Sequence, residues 1–142
     1  MDIKEEIESW FPNIIGKSYK MPQVDERDYN CIAFTLDIYK WTWPSQKSWP
    51  KDIPRNPRLK SFELFYNKHG YVDYNMNHSY EKGFDKIAIY TKEGVVTHAC
   101  KQFVNSWRSK CGRFIIEHQL DWLCGNTPDA YGDVSLIMKK KI

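Results

Sequence analysis

The chain has 142 residues, 42% apolar and 27% charged, with a formal net charge of +3, a size and balance that suit one domain with one core. So small a charge argues against a grip on nucleic acid, and the closing run Lys139-Lys140-Lys141 reads as a solvated tail. No segment approaches the roughly 18 consecutive apolar residues that a membrane span needs, and the start Met1-Asp2-Ile3-Lys4-Glu5-Glu6 is acidic and amphipathic, unlike a secretory signal.

The expectation is therefore a single domain over 1–142, monomeric, without cofactor, nucleic-acid or membrane partner. It is expected in a cytoplasm, or exported as an effector without a cleaved signal. In such a compartment the four cysteines stay reduced.

Apolar residues at 3, 7, 10 and 11 have helical spacing, which Pro12 ends. An extended stretch runs to Val24, and the polar cluster Asp25-Glu26-Arg27-Asp28 precedes a second helical pattern predicted over 29–39. Its apolar residues at 32, 34, 36 and 39 cover more than one stripe, as in a helix buried against a sheet. Residues 41–57 carry Pro44, Pro50, Pro54 and Pro57, so no regular element runs through them. This long loop holds Trp41, Trp43 and Trp49, bulky rings suited to anchoring it or to walling a ligand site.

A third helix is predicted over 58–68, with Gly70 as its stop and a short strand over 71–74 behind it. The period then changes. Residues 85–91 and 95–102 read as the two arms of a hairpin around Lys92-Glu93-Gly94. A strand over 106–110, a short helix over 115–123 and a closing strand over 134–138 complete the pattern. Helices first and an antiparallel sheet after argue an α+β fold, with the N-terminal helices packed on one face of the sheet in two layers.

Two residues carry chemistry. Cys31 heads the second helical pattern, where the helix N-terminus is expected to lower a thiol pKa, and His98 sits in the second arm of the hairpin, where an imidazole can accept a proton. A zinc site on His98, Cys100, Cys111 and Cys31 lacks the Cys-x-x-Cys turn of structural zinc, so no metal is expected.

A cysteine at the head of a buried helix, followed by an antiparallel sheet with a histidine on an early strand, resembles the papain-like cysteine hydrolase superfamily, and most closely its compact NlpC-type branch. The segments Asn30-Cys31-Ile32-Ala33, Thr97-His98-Ala99, Ser109-Lys110-Cys111-Gly112, Glu117-His118 and Tyr131-Gly132 also resemble a little-described group of small bacterial proteins. The superfamily resemblance implies a papain-like fold and a peptidase, amidase or acyltransferase. In it Cys31 would be the nucleophile and His98 the base, acting on a peptide, amide or ester, including one on a protein.

The resemblance further implies an imidazole-orienting third member, for which His118 comes first and Ser109 second. It implies an oxyanion site at the Cys31 N–H with a side-chain donor, Asn30 or Asn75, and a substrate wall at Trp41 and Trp43. The competing expectation is a catalytically inactive module of the same fold, an immunity or adaptor protein that binds a partner through the aromatic loop.

Overall fold

Helix α1 (Ile3–Trp10) starts where the Asp2 carboxylate accepts the Glu5 N–H at 2.8 Å, and it buries Ile7. The computed structural model of the protein describes residues 2–142. Pro12–Ile14 follow as a single 3-10 turn. Strand β1 (Gln23–Val24) is a two-residue pairing at the sheet edge. Helix α2 (Cys31–Thr35) is capped by Asn30, and α3 (Leu59–Lys68) buries Phe62, Phe65 and Tyr66.

The sheet is built from β1, β2 (Val72–Asp73), β3 (Phe84–Lys92), β4 (Val95–Gln102), β5 (Trp107–Cys111), β6 (Phe114–His118) and β7 (Asp133–Lys141). These seven strands lie in the order β1-β6-β5-β4-β3-β7-β2, each antiparallel to its neighbours. Few helices and one antiparallel sheet make the chain an α+β protein. The β3–β4 hairpin closes on Glu93 and Gly94, whose φ angles of 50° and 79° suit a turn that follows the right-handed twist of the strands.

Both faces of the sheet are covered, which corrects the expectation of helices on one face only. Ile87, Ile89, Ala99 and Met138 pack with Ile32 of α2, Phe62 and Phe65 of α3, and Trp49. Ala88, Tyr90, Cys100 and Ile137 point the other way, onto Ile7, Phe11 and Ile14. The cause lies in β3: six consecutive residues, Lys86 to Thr91, are buried, so neither face of this central strand is free to meet water.

Two predicted helices come out differently. The segment predicted helical over 115–123 is β6 followed by a 3-10 turn at Leu120–Leu123, because Gly112, at φ 57°, turns the chain so that Phe114, Ile115 and Ile116 pair with β5. The helix predicted over 29–39 keeps only Cys31–Thr35. Thr35 Oγ1 turns back to the Ile32 carbonyl at 2.6 Å, and Asp37 stands at a positive φ of 55°, which ends the helical path.

Two irregularities set the position of His98. Between Tyr90 and Thr91 the β3–β4 register shifts, so that Thr91 faces Val96 while Tyr90 faces His98, and Thr97 is left over as a bulge. Val96 therefore packs on the α2 side, while His98 lies on the opposite face beside Tyr90. The β4–β5 ladder, in turn, has only the pairs Lys101–Arg108 and Gln102–Trp107. Beyond them the two strands diverge, and α2 packs against both.

Candidate functional site

Asn30, Cys31, Trp41, Trp43, Thr97, His98, Lys110 and Tyr131 line one cavity of about 680 Å³. It opens where β4 and β5 part and α2 begins. The sequence-predicted nucleophile and base thus share a single hollow, drawn from segments 67 positions apart in the chain. A second hollow of about 530 Å³ continues from it past Trp43, Thr97, Gly112 and Tyr131.

Asn30 holds the head of α2 and its neighbouring loop together. Its Oδ1 accepts the N–H of Ala33 at 3.3 Å and of Thr42 at 3.1 Å, and its Nδ2 donates to the Thr42 carbonyl at 2.7 Å. The carboxamide expected to meet an oxyanion is engaged instead as a cap and a tether, which fixes Cys31 relative to Trp41 and Trp43. Asn75, the other donor considered, lies outside the cavity, in the turn after β2.

Trp41 is about half exposed, Trp43 lies edge-on to Phe62 at 5.1 Å, and both line the cavity. Trp49 is the anchor beneath: fully buried, it stacks on Phe65 at 4.5 Å. Arg55 binds the loop by donating to the carbonyls of Pro44, Gln46 and Trp49. Four prolines and one guanidinium hold this stretch in shape without a helix or strand.

Behind the cavity runs a buried chain of hydrogen bonds whose direction can be read from one end. His118 Nδ1 meets the Gln119 carbonyl at 2.8 Å, and a carbonyl only accepts, so Nδ1 carries the proton. His118 Nε2 is then an acceptor and takes the Ser109 hydroxyl proton at 2.6 Å. Ser109 Oγ, its proton committed, accepts from His98 Nε2 at 2.8 Å. His98 therefore holds its proton on Nε2, and Nδ1 is the basic nitrogen. Among the described residues Nδ1 has no hydrogen-bond partner, and it is not fully buried.

Ser109 and His118 both take part, in the reverse of their expected order: Ser109 touches the imidazole, and His118 orients Ser109. Both imidazoles are neutral. Burial, aided by the nearby His118, holds His98 well below the usual histidine range, and burial brings His118 down to about 4.

The thiol departs from the sequence expectation. Burial pushes Cys31 up to about 11, opposed by the N–H groups of Ala99, Ile32 and Cys31 itself and by the charge of Lys110. A five-residue helix supplies too little dipole to win against desolvation. With His98 held neutral as well, the resting pair is thiol and imidazole rather than thiolate and imidazolium.

Sequence reasoning gave no role to Tyr131, whose ring lies parallel on the His98 imidazole with centroids 4.0 Å apart. The bulged Thr97 holds it, donating from Oγ1 to the Tyr131 carbonyl at 2.7 Å. The available signal was Gly132: it stands at φ 81°, and a Cβ there would collide with the Thr91 carbonyl, so only glycine lets the chain lay Tyr131 down at this spot.

No curated protein and no solved structure matches the chain. A family model does match, over residues 20–139, a span that leaves out α1 but contains every residue of the cavity and of the hydrogen-bond chain behind it. By that match the chain belongs to the family described as a domain of unknown function, DUF7689.

Proposed function

We propose that this protein is a cysteine hydrolase or acyltransferase of papain-like type, acting on a peptide, amide or ester carbonyl through an acyl-enzyme. The observation that carries the reading is the direction of the hydrogen bonds from Gln119 through His118 and Ser109 to His98, which leaves Nδ1 as the basic nitrogen of a histidine that lines the same cavity as Cys31. A nitrogen with no protein partner that is not fully buried is open to a ligand or to water. A general base requires that access.

In the first step the Cys31 sulfur attacks the carbonyl carbon while its proton passes to His98 Nδ1. Because the resting pair is neutral, the transfer accompanies attack instead of preceding it. The imidazolium so formed keeps donating from Nε2 to Ser109, which donates on to His118, and this holds the ring in place. The leaving amine or alcohol takes the proton from Nδ1, and the acyl group stays on sulfur. Water then gives a proton to Nδ1 as its oxygen attacks the thioester, releasing the acid and restoring the thiol; an amine acceptor in its place makes the reaction a transfer. The two joined hollows suit a substrate that extends on both sides of the reacting carbonyl.

Timed labelling with iodoacetamide, mapped by mass spectrometry, tests the pair. Cys31 is expected to react in the native protein at a rate that rises with pH up to about 9 without an acid-side plateau, whereas buried Cys100 and Cys111 wait for unfolding. His98→Ala is expected to slow Cys31 at pH 7 by about tenfold or more. Labelling of Cys31 that ignores His98 would count against the reading. The interaction-module reading gains only if partner binding survives Cys31→Ala and is lost in Trp43→Ala.

A further inference from the structure

Lys110 is only 6% exposed, yet it lines the cavity that holds Cys31. Its Nζ donates to the Gly112 carbonyl at 2.7 Å and lies 4.6 Å from the centre of the Tyr29 ring. Among the described residues no carboxylate comes within ion-pair distance of it. The contrast is Lys86, also buried, which has the Glu81 carboxylate at 2.7 Å. Buried cations are ordinarily paired, since desolvation without a counter-charge is costly.

The cavity's own acids do not serve. Asp25 is spent on the Arg27 guanidinium and the Tyr29 hydroxyl, while Glu26 and Asp28 are exposed. We propose that Lys110 is the docking point for a single anionic group, a carboxylate, on the ligand of this cavity. The inference rests on reading the cavity as a substrate cleft, and it narrows the substrate to one bearing a carboxylate near the carbonyl attacked. A multiply charged phosphate fits less well, because one ammonium with a proton already given to Gly112 offers few donors.

The test is equilibrium binding of benzoate and its neutral isostere benzamide, followed by ligand-observed NMR titration of the wild type, Lys110→Met and Lys110→Arg. Wild type is expected to bind benzoate about tenfold more tightly than benzamide, as one charge-assisted hydrogen bond would give. Lys110→Met should abolish the preference and Lys110→Arg retain it. Equal binding of the two probes, binding of neither, or a preference that survives in Lys110→Met overturns the proposal. Should Lys110→Met fail to give the wild-type melting curve, Lys110→Gln, whose amide can still donate to the Gly112 carbonyl, takes its place. The measurement does not use the sulfur, so Cys31→Ala should keep the preference, and failure of the hydrolase reading shows separately in the labelling of Cys31.

Discussion

The phenol ring of Tyr131 lies flat on the imidazole of His98, with planes 7° apart and centroids at 4.0 Å. Stacking fixes the ring plane, and the bond to Ser109 fixes rotation within it, so that Nδ1 has one orientation. Tyr131→Ala is expected to cost about 2–3 kcal/mol of stability in urea denaturation, since Tyr131 is only partly buried. It should also let water reach His98 and raise its pKa towards 6.5, readable from the imidazole proton shifts in an NMR titration.

Ser109 and His118 define the tautomer of His98. Ser109→Ala leaves two imidazole nitrogens facing each other across a buried gap with neither satisfied, at an expected cost of about 1–3 kcal/mol. His118→Phe acts more subtly. The Ser109 hydroxyl, without its acceptor, turns to donate to His98 Nε2, and the imidazole proton moves to Nδ1, where it blocks the nitrogen proposed as the base. Cys31 labelling at pH 7 should fall by about tenfold or more while the fold survives, and 15N shifts of His98 should report the exchanged tautomer.

Stability should depend on pH through His118. Its folded pKa of about 4 lies below the 6.5 of the unfolded chain, so between these values the unfolded state binds the extra proton. The contribution is complete above pH 6.5 and is lost as the pH falls towards 4, amounting to about 3 kcal/mol. His98 acts in the same direction. Urea midpoints measured from pH 7 down to 4 should fall, and less steeply in His118→Gln than in the wild type. Parallel profiles for the two proteins would contradict this account.

Asn30→Ala removes the cap of α2 and the tie to Thr42 together. The expected loss is about 1–2 kcal/mol. A second readout separates the two roles: fluorescence quenching of the tryptophans by acrylamide should increase, because the strand of loop carrying Trp41 and Trp43 is released. Asn30→Asp keeps the capping oxygen, loses the donor to the Thr42 carbonyl, and should lie between.

By itself the sequence determined the helices at α1 and α3, the Cys31 helix start, the β3–β4 hairpin and the anchoring tryptophan loop, because these follow from local spacing, turn residues and proline. It also put forward Ser109 and His118 as partners of His98, and the structure hydrogen-bonds His98 to Ser109 and Ser109 to His118. What the tertiary structure alone decided is how those pieces face one another. The bulge at Thr97 turns His98 to the face opposite Val96, and no periodicity in the chain announces a register shift that depends on the partner strand. The six consecutive buried residues of β3 demand cover on both faces, which sent α1 to the far side of the sheet. Tyr131 reaches His98 from 33 positions away, and burial in the assembled core, not the helix start, sets the thiol. Desolvation and register belong to the packed molecule: each depends on neighbours brought together only by folding.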